Sequence, residues 1–550
     1  MRASGDWITL RVDGVRYFDK PPLLYWLMAA VFSVAGPTEA AARLWPALAG
    51  AGVAAVTGWI GTMLGGARVG LLAALIVAAN LGMFLFARQV KHDLPFIFFV
   101  VLSFAGFVVA YRGAGRWGLA VAYASLGLAA LTKDVLGAVA PLGVIAAFLW
   151  ITRERPYGAW APWWGVALLV GVALPWYAAV EWGSRGFLWY TVVDNHVLNF
   201  ARQRVFPDAD VPLGPLHFLA VTIGAFLPWT LAAPWALARA LRPPWLNAEA
   251  RLWGLLAFWV VLVIGFFTLS PFKLPHYGLP ALPALALLVA RVWDESIDAL
   301  PGAVAPRTLL MPITVLFALS GVGLVLGAQG VIGLPGGSYE SVDLPARNLT
   351  ARGQAAAAQF AAYAPILLKS GLLFLVAAAA MTVAAARRLP AAGLGVALAA
   401  MLAYLPICAE GMALFARSRS TRPLSAELAR RLGPADVVIH EGPLEDSGSL
   451  LLTVRRRVHV VDGLRSNLAF GATFPEARDV FWSPARLREA WDQGRCFLLS
   501  SVEPPESVAA TLQPVHLLAE GGGRWLYSNV GGPEMAPHTP QPLGSVPAKP

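Results

Sequence analysis

The sequence predicts a polytopic α-helical membrane protein with a small α/β domain outside the membrane, after the last span. Three observations carry that reading. The 550 residues are 57% hydrophobic and 13% charged, against roughly 25% charged in soluble chains. Apolar runs recur up to residue 416, most of them near the roughly 17–25 residues that cross about 30 Å of hydrocarbon. From Arg417 onward the runs stop and short alternating segments replace them. This composition excludes a water-soluble enzyme of two or three domains, and equally a disordered or fibrous chain. The net charge of +10 sits in short arginine clusters between apolar runs, a pattern that sets membrane orientation. No nucleic-acid partner is expected. Cys408 and Cys496 are too few for a disulfide framework.

Twelve runs qualify as candidate spans, some of them short: about 41–64, 69–87, 96–112, 117–131, 135–152, 160–181, 213–240, 252–270, 276–292, 308–330, 364–386 and 391–416. A further run, 21–36, follows Pro21-Pro22 and is short for a span; it reads as a helix lying along the interface. Lys and Arg accumulate in short cytoplasmic loops. With 21–36 interfacial, every loop of one series is basic: Arg68; Arg112 and Arg116; Arg153 and Arg155; Arg239, Arg242 and Arg251; Arg291 and Arg307; Arg387 and Arg388. The opposite, external side then receives 1–20, 88–95, 132–134, 182–212, 270–275, 331–363 and everything from Arg417.

Within that last region Val437-Val438-Ile439 and Arg457-Val458-His459-Val460-Val461 read as strands and Ser483–Gln493 as a helix. The expected organisation is therefore a transmembrane domain over 1–416, with external loop and interfacial helix in 1–40. An α/β domain follows over 417–530, then a disordered Pro/Gly-rich tail over 531–550. The chain opens directly on an external stretch with no apolar segment to carry it across, so a further N-terminal span is expected upstream of Met1.

The candidate site residues all fall on the external side. The chain has six lysines, and Lys20, Lys91, Lys133 and Lys273 lie in external loops beside Pro, Asp or His. Arginine serves as the membrane anchor elsewhere in the chain, so this selective use of lysine points to an anionic ligand at headgroup depth. Asp19-Lys20 precedes Pro21-Pro22, where Asp19 could equally cap the following helix. Asp93, in Lys91-His92-Asp93-Leu94-Pro95, is a carboxylate at the membrane boundary, expensive unless functional, or else a helix cap. The loop 182–212 holds Asp194-Asn195-His196, Arg202, Arg204, Asp208 and Asp210. With Asp19 approaching from another loop, His196 could help hold a divalent cation, zinc or magnesium. In Ser270-Pro271-Phe272-Lys273-Leu274-Pro275-His276-Tyr277, Lys273 and Tyr277 are four apart. If the turn is helical, both point the same way and clamp a phosphate.

These stretches resemble the bacterial lipid A aminoarabinose transferase family, GT-C glycosyltransferases related to the protein O-mannosyltransferases. The motifs are Ala3-Ser4-Gly5-Asp6-Trp7, then Gly14 through Trp26, Leu131-Thr132-Lys133, Pro175-Trp176-Tyr177 and Lys273 through Tyr277. The likeness covers about residues 3–290; later spans and the terminal domain match in layout. It implies a GT-C fold with thirteen spans in the complete protein, about twelve of them here. It implies a polyprenyl (undecaprenyl) phosphate sugar as donor and a lipid A-like or other lipid or protein acceptor. Catalysis would take place on the periplasmic face of the bacterial inner membrane. By position, Lys20 and Tyr277 would bind the donor phosphate, with Lys273 nearby and Arg202 or Arg204 as further candidates. Asp93 would be the second acidic residue of the active site, and Asp19 with His196 would match a metal site, Asp19 replacing the usual Glu. Two departures stand out. The family's principal catalytic Asp-Glu motif would lie upstream of this chain's first residues, and Asn195 and Asn199 replace an expected Glu and Arg.

A sugar on a lipid phosphate is already activated, because phosphate leaves readily once its charge is neutralised. Such an enzyme needs cations at the phosphate and a carboxylate at the acceptor, and no nucleotide. The rival readings are a transporter or lipid flippase, whose charges would sit near the bilayer midplane, and a catalytically inactive relative.

Overall fold

The computed structural model describes residues 1, 4–207, 213–332 and 354–531, without side chains for 354–360. Asp208, Asp210, most of the loop 331–363 and all but the first residue of the expected tail 531–550 lie outside the described residues.

A two-stranded hairpin, β1 (Arg11–Val12) and β2 (Val15–Arg16), opens the chain. Helix α1 (Leu23–Ala35) follows Pro21-Pro22 and at 13 residues is about 20 Å long, too short to span. The 40-residue α2 (Glu39–Ala78) breaks at Gly66, whose φ of 86° is open to glycine. Its two arms lie back to back: a Cβ built on Gly70 would stand 2.5 Å from the Gly58 carbonyl oxygen. The runs 41–64 and 69–87 are thus two helices closed by a glycine hinge beside Arg68, with the second completed by α3 (Leu81–Ala87) after Asn80 caps Met83 N–H at 2.8 Å. Next come α4 (Asp93–Tyr111), α5 (Trp117–Thr132), α6 (Leu136–Ile151) and α7 (Trp163–Gly183).

Among the described residues seven helices are long and apolar enough to cross a membrane, eight if a bent pair counts as one. Twelve separate spans were expected, and the differences have physical causes. The two arms of α2, though they fold back at Gly66, count as one of the seven. Helices α5 and α6 have 16 residues each, about 24 Å, because Lys133-Asp134 ends one and precedes the next. The run 213–240 is α8 (Pro215–Ala225) and a second segment (Trp229–Leu241) that includes α9 (Ala233–Leu241), bent by 104° at Phe226–Pro228, where proline withholds a backbone donor. The run 276–292 is a 3₁₀ turn (Pro275–Ala281) leading into α11 (Leu282–Ile297), which carries Arg291, Asp294 and Glu295.

The basic loops gather at one end of the bundle. Arg68 pairs with Asp294 and Asp298, Arg239 with Glu295, and Glu154 with both Tyr111 and Arg251. At the opposite end sits the α/β domain. Its six strands run β5 (Phe481–Trp482), β4 (His459–Val461), β3 (Val437–Glu441), β6 (Cys496–Ser500), β8 (Arg524–Ser528), β7 (His516–Gly521) across the sheet. The first four are parallel, and β8 is antiparallel to both its neighbours. The strands and the helix Pro484–Gln493 stand where the sequence placed them. One face of the sheet packs on Leu424 and Leu428 of helix Arg422–Arg431 and takes in Val15 of the hairpin.

The sidedness has a direct check. With Cys408 and Cys496 replaced, a cysteine at Glu503 reacts with a membrane-impermeant maleimide in intact cells, whereas one at Arg153 reacts only after permeabilisation. The reverse pattern would invert the topology.

Candidate functional site

The N-terminal hairpin is held from both sides. Arg16 pairs with Glu476 of the α/β domain and donates to the carbonyl of Gly183, at the end of α7, at 2.7 Å. Arg11 meets the same Glu476 at 3.0 Å. Burial works against the Glu476 carboxylate, but hydrogen bonds from Arg16 and Arg11 bring it down to about 2. Behind the hairpin Phe18 inserts among Phe187, Phe470 and Phe474, at 5.1–5.6 Å between ring centroids. These contacts fix the two residues that follow.

Lys20 Nζ donates to Asp19 at 2.6 Å, and Tyr17 Oη donates to the same carboxylate at 3.3 Å. Asp19 does not cap α1, whose N-cap is Pro22 without a side-chain bond. The Lys20 side chain keeps 30% exposure although protein surrounds its amine, as at the bottom of a crevice. Burial disfavours its charge, but Asp19, with Tyr277 and Asp134 further off, more than offsets this and raises the pKa above the usual lysine range. Burial likewise opposes the Asp19 carboxylate, and Lys20, His92 and Arg204 hold it below its usual value nevertheless.

A second pair faces the first. Asp93, in the first turn of α4, accepts from Lys133 Nζ at 2.7 Å and lies 3.5 Å from His276 Nε2. It is a buried ion-pair member and not a cap. Lys133 also sits 5.0 Å from the ring centroid of Tyr277, so Tyr277 joins the two pairs. His92, next in sequence to Asp93, lies 5.1 Å from the Tyr25 ring and its Nε2 is buried without a partner. Burial, then the nearby Lys20 charge, pushes this imidazole down to about 3, so it is neutral throughout the working pH range. Asp19, Lys20, Asp93 and Tyr277 thus come together, and Lys133, His92, His276 and Asp134 join them. Lys133 had a signal in Leu131-Thr132-Lys133. His92 and His276 had none beyond adjacency to Asp93 and Tyr277.

Of the remaining candidates Lys273, Arg202 and His196 stand apart, and Arg204 reaches the cluster only through its charge on Asp19. Lys273 is 2% exposed and donates to the carbonyls of Thr268 and Ser270 at 3.0 and 2.6 Å. It satisfies the C-terminal end of α10 (Ala248–Leu269). The expected alignment with Tyr277 fails because residues 271–274 are not helical and the 3₁₀ turn starts at Pro275. Arg202 is exposed. Arg204 donates to Asn195 at 2.6 Å and lies 3.5 Å from Asp194. Asp194 in turn accepts from Val205 N–H at 2.6 Å, closing the loop around the π-helical stretch Trp189–Leu198. His196 Nε2 is buried without a partner. Among the described residues no three His, Cys, Asp or Glu side chains group closely enough to hold a metal, and Asp19 is committed to Lys20. The described residues do not by themselves form a metal centre.

This fold has a solved counterpart. The crystal structure of ArnT from Cupriavidus metallidurans bound to undecaprenyl phosphate matches with a TM-score of 0.78 over 97% of this chain and 92% of that one, at 22% identity. Its apo state gives 0.77. The fold is the GT-C fold of ArnT. In sequence, a family model described as dolichyl-phosphate-mannose-protein mannosyltransferase matches residues 1–191. An undecaprenyl phosphate-alpha-4-amino-4-deoxy-L-arabinose arabinosyl transferase of Pseudomonas fluorescens is 30% identical over 351 residues, 61% of this chain and 58% of its own length. The transferase of that name from Pseudomonas paraeruginosa is 32% identical over 300 residues, 52% of each chain. The chain therefore spans a little over half the length of the curated relatives it matches, and it resembles them as its external motifs predict.

Two substitutions separate the buried cluster from ordinary surface pairs. Lys133→Ala leaves the buried Asp93 without its hydrogen-bonded cation, with His276 and the more distant Lys91 remaining, and should cost about 3 kcal/mol, read as a lower melting temperature in detergent. Arg486→Ala, which breaks an exposed pair with Asp479, should cost under about 1 kcal/mol. Equal losses would contradict the burial of the Asp93 pair.

Proposed function

We propose that this protein is a glycosyltransferase that moves a sugar from a polyprenyl phosphate donor to an acceptor at the periplasmic face of the bacterial inner membrane. The observation that carries the reading is the crevice where Lys20, Lys133 and Tyr277 converge on Asp19 and Asp93 at the external ends of apolar helices. The lysines neutralise the departing phosphate, and Asp93 orients or deprotonates the acceptor. A donor anchored by its lipid tail reaches such a crevice without leaving the bilayer. The names of the relatives favour a 4-amino-4-deoxy-L-arabinose donor, hence a pentosyl transfer, and the resemblance of the external motifs implies a lipid A-like acceptor. A divalent cation belongs to this reading only if the donor phosphate completes a site begun by Asp19 and His196. Dialysis against a chelator, with restoration by zinc or magnesium, tests that part.

A transporter or flippase would need its charges at mid-span. Asp93 stands at the first residue of α4 and Lys133 just past the last of α5, which favours an interfacial enzyme.

Transfer in vitro from a panel of polyprenyl-phosphate sugars is the direct test. Asp93→Asn should lower turnover by about 10²–10⁴-fold. Lys20→Ala should weaken polyprenyl phosphate binding by about tenfold or more, while Lys273→Ala leaves that affinity unchanged and lowers stability. Unaltered turnover in both Lys20→Ala and Asp93→Asn would overturn the assignment.

A further inference from the structure

A second concentration of positive charge lies away from the crevice. The tip of the N-terminal hairpin, Asp13-Gly14, and the segment Leu451 with Arg455, Arg456 and Arg457 enclose an open pocket of about 380 Å³. The three arginines do different things. Arg456 donates to the carbonyls of Gly433 and Asp436, both at 3.0 Å, and so ties the turn to the end of helix Arg422–Arg431. Arg457 lies flat against Gly14: a Cβ there would stand 3.2 Å from its guanidinium nitrogen. Gly14 has a φ of 85°, so both its backbone and its lack of a side chain suit that approach. Arg455 is exposed, in a left-handed conformation (φ 53°) that ends helix Ser449–Val454, and its guanidinium meets no other described side chain. The pocket's one carboxylate, Asp13, already accepts from Val458 N–H at 3.0 Å. Arg457 also shares the charge of Asp13, so of these three arginines Arg455 alone meets no described charge partner.

The pocket lies near the membrane surface. The last membrane helix ends at Arg419, and Thr421 just beyond it bonds to Ser449, the first residue of the short helix. That helix has six residues, about 9 Å, so Arg455 follows closely on the external end of the last membrane helix. Leu452, on the short helix just before the three arginines, is 76% exposed. Gly14 is six residues from Lys20, at most about 20 Å of extended chain.

We propose that this pocket holds a phosphate ester on the headgroup of the acceptor lipid, an anion subsite separate from the donor crevice and joined to it by the hairpin. Arg455 and Arg457 would grip the phosphate oxygens in the forked geometry that guanidinium allows. The acceptor's sugar hydroxyl or second phosphate would then face Lys20 and Asp93. This subsite rests on the transferase reading for the identity of its ligand, but its test does not require turnover.

The full chain in phospholipid nanodiscs is titrated with a phosphorylated glycolipid, with the same glycolipid after phosphatase treatment, and with polyprenyl phosphate. The wild type should favour the phosphorylated form by about tenfold or more. R455A/R457A should erase that preference and leave polyprenyl phosphate binding intact, which also shows that the variant is folded. Equal wild-type affinity for the two glycolipids, or a preference that survives R455A/R457A, would overturn the proposal. So would vesicles of phosphatidylglycerol, or inorganic phosphate alone, competing as well as the phosphorylated glycolipid, because the arginines would then serve any anion. Absence of transfer with the arginine-dependent preference intact would count against the transferase reading alone.

Discussion

Charge at a membrane boundary is tolerated only where it is paired, and the external end of this bundle is built around that constraint. An isolated carboxylate or ammonium taken out of water costs several kcal/mol even after relaxation. Asp19 and Asp93 meet that cost with lysine partners at 2.6 and 2.7 Å. The two pairs are not closed. Lys20 keeps a third of its side chain open, and Tyr277 lies between the pairs and against Lys133. An incoming phosphate can therefore share both ammonium groups without either carboxylate losing its only counter-charge. Compensated and still accessible, the arrangement suits a ligand that is itself an anion.

The crevice depends on parts of the chain far apart in sequence. Val15 is buried in the core of the α/β domain, and Glu476 of that domain holds Arg16 and Arg11. Phe470 stacks on Tyr190 at 4.6 Å and touches Phe18 and Phe206. The terminal domain thus clamps the hairpin on one side and the loop after α7 on the other, and Asp19-Lys20 lies between the two clamps. Loops at a membrane face have little apolar area of their own to bury, so an external domain that lends them a core is a physical requirement for holding the lysine still. The short helices α5 and α6 act in the same direction. At about 24 Å they leave the Lys133-Asp134 turn recessed relative to a full span, which lowers the cation toward the level at which a lipid-borne phosphate sits.

Much of this was legible in the sequence, and what was not has a consistent cause. The arginine loops gave the sidedness because their signal is additive along the chain, and Arg68, Arg239 and Arg251 do gather at one end. The strands Val437–Glu441 and His459–Val461 were visible from composition alone. Asp19, Lys20, Asp93 and Tyr277 were visible as boundary charges beside proline, or as a motif. The pairing was not. Nothing in Lys91-His92-Asp93 says that the partner of Asp93 is Lys133, 40 positions on, nor that Lys273 gives two hydrogen bonds to its own helix end. Spacing arguments hold inside a helix, and the two prolines around Lys273 remove the helix on which the argument rested. The 104° bend in 213–240 was hidden for the opposite reason: an apolar run looks the same whether it passes straight through or turns.

The division of labour between lysine and arginine follows from their chemistry. Arginine presents a planar fork that suits fixed carboxylates and carbonyls, and in this chain it ties loops together: Arg68 to α11, Arg16 to Gly183 and Glu476, Arg456 to the carbonyls of Gly433 and Asp436. Lysine is a compact charge on a flexible stem, able to follow a phosphate as its ester bond breaks. The crevice uses lysine where charge must move with a leaving group. A static anion, such as a phosphate that is recognised and not transferred, calls for the fork instead, which Arg455 and Arg457 present beside the hairpin tip.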